Sequence, residues 1–141
     1  MKPLRALTAM TLVFVLLLAA CSSADPYRSD FAKWTAHLNA TIRRDLPFGK
    51  TTLTQSEAAD LSSALHDLTS RLAKMKPPSL VRSEHQELLG DLIANGQTLE
   101  TWGAAMGSSP EEVNIGDVLG GRLGSPGVLE LVAQIQNKLA Q

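Results

Sequence analysis

The sequence predicts an all-α protein, an up-and-down bundle of about four helices behind an apolar N-terminal segment. Three observations support this fold class. Beyond residue 30, apolar residues recur at spacings of three and four, and no segment there shows the period-two alternation of a half-buried strand. Aromatic residues are only 4% of the 141 residues, so strand-favouring side chains are scarce. This length predicts a single domain.

Residues 1–20 have the pattern of a secretory signal peptide. Lys2 and Arg5 precede an uncharged run from Ala6 to Ala20. As a helix this run would be about 22 Å long, which is shorter than a hydrocarbon core of roughly 30 Å. A basic start, a short apolar stretch and small residues at its end are typical of a leader that is removed after export.

The four residues Leu18-Ala19-Ala20-Cys21 resemble the lipobox of bacterial lipoproteins. The resemblance implies cleavage between Ala20 and Cys21, a diacylglyceryl group on the Cys21 sulfur and, often, an acyl group on the new amino terminus. A thiolate is the nucleophile that thioether formation needs, and Cys21 is the one cysteine of the chain. The alternative is an ordinary secretory signal in which the cysteine is incidental.

The same resemblance implies where the protein is held. It predicts lipid anchoring to the outer face of the cell membrane, or to the outer membrane of a cell with two membranes, which the family's sorting rule associates with a residue such as Ser22. The membrane, through the lipid on Cys21, is one expected partner, and an envelope protein is a second. The resemblance covers residues 1–21 only.

Charge argues against nucleic-acid partners. The chain has 13 basic and 14 acidic residues, and loss of Lys2 and Arg5 with the leader leaves 11 basic and 14 acidic, a net charge of -3. A mildly acidic chain with scattered charges lacks the basic surface that binds nucleic acid. It also lacks a polybasic run for anionic lipid headgroups.

The exported part is divided into a tether (residues 21–29) and a helical bundle domain (residues 30–141). Pro26 suggests that the tether is not helical, and Asp30 is the expected N-cap of the first helix. Its apolar face consists of Phe31, Trp34, Leu38 and Ile42, and Pro47 and Gly49 end it.

The second helix has the clearest start. Thr54 and Glu57 have capping-box spacing, and Pro77-Pro78 bounds the helix at the other end. An apolar seam at steps of four and three predicts packing against another helix; it comprises Leu61, Leu65, Leu68, Leu72 and Met75.

Three further elements complete the predicted bundle. A long third helix begins near Ser79 and meets a possible bend at Gly96. Ser109-Pro110 predicts a short helix that leads into residues 113–119, and Ser125-Pro126 predicts the start of the last helix. The glycine-rich stretch from Gly116 to Gly127 lacks phosphate-loop spacing and is interpreted as a flexible connector.

His85 is the candidate residue for binding a metal or a small ligand, because it falls on the apolar stripe of the third helix. One interpretation is a metal or small-ligand site in the bundle core; the other is a buried imidazole bonded to a carbonyl or a carboxylate. The Glu-x-x-His pairs and Cys-x-x-Cys-His motif of metal and haem bundles do not occur, so we predict no metal and no cofactor. His37 and His66 are expected at the surface.

Residues for catalysis are equally sparse. The exported part has no cysteine beyond Cys21 and no Gly-x-Ser-x-Gly turn. Its helix carboxylates are interpreted as solvated, including Asp60, Asp67, Glu84, Glu87, Asp91 and Glu100. The favoured prediction is a non-enzymatic helical module with an interaction or structural role; a small-ligand or metal-binding bundle that uses His85 is the alternative, and an envelope enzyme the least favoured.

Overall fold

The computed structural model describes residues 24–122, 124 and 126–141. In chain order the elements are α1 (Ala24–Asp45), β1 (Thr52–Leu53), α2 (Gln55–Ala73), a 3₁₀ turn (Ser79–Val81), α3 (Arg82–Ala105), β2 (Glu111–Glu112), α4 (Ile115–Val118) and α5 (Val128–Leu139). The four long helices form a bundle, so the predicted all-α fold is confirmed.

Consecutive long helices run antiparallel. Ala58 of α2 lies against Gly103 of α3. Ser62, one turn later in α2, donates to the Gly96 carbonyl, which is about two turns earlier in α3. Lys138 at the end of α5 contacts Glu84 at the start of α3. Trp34 in the first half of α1 donates to the Leu68 carbonyl late in α2, and Arg44 at the end of α1 lines a groove with Asp60 near the start of α2. Together these contacts establish the up-and-down topology.

One apolar core lies between the four helices. The predicted seam of α2 is buried from Leu61 to Leu72, and Met75 is half-buried against it. The largest fully buried side chains include Phe31, Leu38, Leu61, Leu65, Leu68, Leu72, Leu88, Leu92, Leu131 and Ile135. Burial of these side chains is the main stabilising contribution.

The first helix begins earlier than predicted. Helix α1 starts at Ala24 rather than near Asp30, so the assignment of residues 24–29 to a tether is wrong. Pro26 lies in the first turn, where backbone N–H groups have no acceptor within the helix. The lack of an N–H in proline therefore costs no helical hydrogen bond there. Tyr27, one residue later, is 3% exposed, and this burial extends the helix into the predicted tether.

The capping prediction for α2 is confirmed. The Glu57 amide donates to Thr54 Oγ1 at 3.2 Å, and the Thr54 amide donates to Glu57 Oε2 at 2.8 Å. Helix α3 follows the 3₁₀ turn at Ser79 and runs without a break through Gly96. A Cβ atom at Gly96 would lie 3.5 Å from the His66 ring and 3.8 Å from Leu65, which are ordinary van der Waals distances, so the backbone of α3 lies close to α2 at this point.

The prediction that a helix begins at Ser109-Pro110 is wrong. Glu111 and Glu112 instead pair antiparallel with Leu53 and Thr52, and Leu53 is fully buried. The short helix starts only at Ile115, after the Asn114 side chain accepts the Gly116 amide at 2.9 Å. Helix α5 begins at Val128 with Gly127 as its N-cap, two residues beyond the predicted Ser125-Pro126 start.

Candidate functional site

The proposed lipid attachment point, Cys21, and the proposed cleavage residue Ala20 lie outside the described residues. The first described residue, Ala24, already belongs to α1. Three peptide units separate Cys21 from Ala24, and an extended chain of that length reaches about 11 Å at most. Because the proposed attachment point precedes α1, we give the name anchored end to the part of the bundle around the start of α1, the 3₁₀ turn and the end of α5. The opposite part is the distal end.

The start of α1 is fixed to two other helices. The Tyr27 hydroxyl oxygen lies 2.8 Å from Nδ1 of His85 in α3, and the Arg28 guanidinium donates to the Leu139 carbonyl at the end of α5. The Tyr27 ring stacks on Phe31, with 5.6 Å between ring centroids, and Phe31 stacks on Trp34 at 5.5 Å. The first turns of α1 are therefore part of the core.

His85 is buried, as its position on the apolar stripe predicts, with 4% of its surface exposed. Burial lowers the pKa of its imidazole and raises the pKa of the Tyr27 phenol, because each charged form would be desolvated. The pair is therefore neutral at pH 7 and shares one hydrogen bond, whose direction follows the imidazole tautomer. The partner is a phenol rather than the carbonyl or carboxylate that we expected.

The structure does not assign a ligand to His85. Glu84, next to it in sequence, is bound by Lys138, whose Nζ lies 2.6 Å from Glu84 Oε1. Within residues 24–122, 124 and 126–141, no three His, Cys, Asp or Glu side chains are grouped so that they could hold a metal ion. The role of His85 as a ligand stays a prediction.

The other two histidines are exposed, as predicted. His37 Nε2 lies 3.3 Å from Asp67 Oδ2 on the α1–α2 surface. His66 lines a shallow groove of about 600 Å³ between α2 and α3, together with Ser62 and Glu100. Neither His37 nor His66 therefore forms a site together with His85.

The glycine-rich connector is attached to α3, which the sequence did not reveal. Asp91 is fully buried, which corrects its assignment to a solvated face, and its Oδ1 accepts the Arg122 amide and Nε, both at 3.2 Å. Asn95 Nδ2 donates to the Gly120 carbonyl at 2.9 Å. The connector that was predicted from Gly116 to Gly127 is therefore held to α3 at Gly120 and Arg122.

The distal end carries a pocket and an exposed aromatic residue. The pocket, of about 230 Å³, lies between α3 and the segment after β2, and its lining includes Leu99, Trp102, Val113 and Asp117. Phe48, in the connection between α1 and β1, is fully exposed at 108% of its reference surface. Trp34, predicted on the apolar face of the first helix, is in the core, and Trp102 is half-buried in the lining of this pocket.

Comparisons with known proteins give no further assignment. No protein family, no curated protein and no solved structure matches the chain. None of the described helices is both long enough and apolar enough to cross a membrane.

Proposed function

We propose that the protein is a lipoprotein of the bacterial envelope, anchored through acyl chains on Cys21, whose helical bundle acts as a non-enzymatic interaction or structural module. The observation that carries this proposal is the lipobox-like sequence Leu18-Ala19-Ala20-Cys21, which lies just before the start of α1 at Ala24. Because Tyr27 and Phe31 are buried, a lipid on Cys21 would be joined to the folded domain by three peptide units, a linkage short enough to hold the bundle at the membrane surface.

The anchoring energy comes from the lipid. Each buried methylene contributes about 0.8 kcal/mol, and one acyl chain gives only marginal attachment, whereas two hold a protein durably. A diacylglyceryl cysteine supplies two chains. No protein span is then needed for the attachment.

The distal end is the surface that we assign to an envelope partner. It points away from the anchor, exposes Phe48 and carries the pocket beside Trp102. Aromatic side chains are enriched where proteins bind one another. A photo-crosslinking residue in place of Phe48 should give the same adduct in repeated envelope preparations, and one in place of Ser79 at the anchored end should not; no recurring adduct from Phe48 would contradict the interaction role.

The anchor itself is tested by metabolic labelling with an alkyne fatty acid followed by phase partition in a detergent. The wild-type protein should carry the label and enter the detergent phase. Cys21→Ser removes the sulfur and should abolish both results, whereas the control Ser23→Ala should behave as wild type. Equal labelling of wild type and Cys21→Ser would contradict acylation at Cys21.

A further inference from the structure

The turn between α2 and α3 (residues 74–82) carries an unusual set of exposed charges. Lys74, Lys76 and Arg82 are all exposed, and no acidic residue occurs in the turn. None of the three cations forms an ion pair with a described residue. Leu80, between them, is 53% exposed. The turn therefore presents three free cations around an apolar side chain.

This turn belongs to the anchored end. Lys74 lines a surface groove with Asp30 and Trp34 of α1, and the 3₁₀ turn leads directly into α3, where His85 contacts Tyr27. Lys138 Nζ, near the end of α5, lies 3.5 Å from the Leu80 carbonyl oxygen. The cations are thus at the same end of the bundle as the start of α1.

We propose that the α2–α3 turn rests on the anionic phospholipid headgroups of the membrane that holds Cys21, with Leu80 inserted among them. This inference rests on the proposed lipid anchor. The chain from Cys21 to Ala24 spans about 11 Å at most, which is comparable to the Debye length of about 8 Å at physiological ionic strength. Cations held this close to an anionic surface are attracted to it, and an exposed leucine adds apolar contact.

Neighbouring carboxylates do not cancel this attraction. Asp25 lies 3.8 Å from Arg28 and Glu84 lies 2.6 Å from Lys138, so each already has a cation beside it. Asp30 lines the same groove as Lys74 and offsets part of its charge. Glu87 lies five residues beyond Arg82, roughly 7 Å farther along α3 at 1.5 Å per residue, so the charges of Lys76 and Arg82 are not offset in this way.

The contact fixes more than the distance from the membrane. A lipid at Cys21 alone would leave the bundle free to rotate about its short linkage. A second contact through the α2–α3 turn sets the orientation, so that the long axis of the bundle stands away from the bilayer and the distal end faces outward.

The test uses the mature acylated protein in vesicles. Since Cys21 is the single cysteine and its sulfur is consumed by the lipid, Ser79→Cys introduces one free thiol for a fluorophore, and Phe48→Cys does the same at the distal end. Vesicles contain phosphatidylglycerol and a lipid with a nitroxide on its headgroup. We expect at least threefold stronger quenching at position 79 than at position 48.

Charge variants identify the cause of that difference. Lys74→Gln, Lys76→Gln and Arg82→Gln together should reduce quenching at position 79 to the level seen at position 48, as should vesicles of phosphatidylcholine alone. Arg43→Gln, which removes an exposed cation near the other end of α1, should change nothing. Equal quenching at the two positions, or quenching at position 79 that persists without the three cations, would overturn the proposed contact while the protein still floats with the vesicles. Failure to float with them would instead overturn the lipid anchor, and the contact with it.

Discussion

The two ends of the bundle are held together in different ways. At the anchored end, side chains join helices that are far apart in sequence, as in the contacts of Tyr27 with His85 and of Lys138 with Glu84. At the distal end, backbone hydrogen bonds join connecting segments, as between Val113 and Thr51 and between Val128 and Leu119. The comparison indicates that the two ends differ in the kind of hydrogen bond that joins their segments, whereas apolar burial extends along the whole bundle and includes Leu53 and Val128 at the distal end.

Two phenylalanines offer the sharpest test of this comparison. Phe31 is 1% exposed and stacked between Tyr27 and Trp34, whereas Phe48 is fully exposed. Phe31→Ala should lower the free energy of unfolding by about 3–5 kcal/mol because it leaves a cavity in the core. Phe48→Ala should change it by no more than about 0.5 kcal/mol. Urea unfolding measures both, and equal effects would refute the contrast between the ends.

A smaller loss of stability is expected when the contact between Asp91 and the glycine-rich connector is removed. Asp91→Ala should destabilise the protein by about 1–3 kcal/mol, since the Arg122 amide loses a buried acceptor. Amide exchange at Arg122 should become faster in the same variant. The control Glu100→Ala removes an exposed carboxylate from the same helix and should leave that exchange unchanged. Unaltered exchange in Asp91→Ala would mean that the connector is held by other contacts.

Loss of one hydroxyl should have a smaller effect at the anchored end. Tyr27→Phe should lower the free energy of unfolding by about 1–2 kcal/mol, because Nδ1 of His85 then has no partner. In a His85→Leu background, Tyr27→Phe should lower the free energy of unfolding by less than it does in the wild-type protein. A double-mutant cycle measures this difference. Strict additivity would show that the hydrogen bond does not contribute.

The smallest effect is a dependence on pH. Burial lowers the pKa of His85 below 6.5, so the unfolded chain binds a proton first as the pH falls through about 6.5, and stability decreases from there down to the folded-state pKa. Hydrogen bonds from Lys50, Arg71 and Lys138 lower the pKa values of Glu57, Asp67 and Glu84, respectively. The stability that these carboxylates contribute is lost only when the pH falls below about 4.3.

Urea unfolding at pH 7.5 and at pH 5.5 separates these contributions. The wild-type protein should be less stable at pH 5.5, and His85→Gln should lose most of that difference. His66→Gln removes an exposed histidine and should keep it. If His85→Gln keeps the difference in stability between pH 7.5 and pH 5.5, another group causes that difference.

The sequence predicts features whose causes are local. The capping box depends on two hydrogen bonds within four residues, and the α2 seam follows directly from the spacing of its leucines. The two-residue strands escape notice because they are too short to show alternation. The early start of α1 escapes notice because Pro26 is read as a breaker, although a first turn tolerates it.

The contacts at the candidate site depend on long-range packing. Tyr27 and His85 are 58 residues apart, and Asp91 and Arg122 are 31 residues apart. No spacing rule links such residues, so the sequence places Tyr27 in a tether and Asp91 on a solvated face. Similarly, Lys74, Lys76 and Arg82 form no polybasic run, and their significance emerges only when the fold places them beside the start of α1.

Whether a lipid on Cys21 holds this bundle at the membrane can be read from the intact mass of the native protein purified from envelopes. We expect a chain that begins at Cys21 and carries the added mass of a diacylglyceryl group, with or without a third acyl chain. A chain with an unmodified thiol at Cys21, or one that retains Met1, would contradict it.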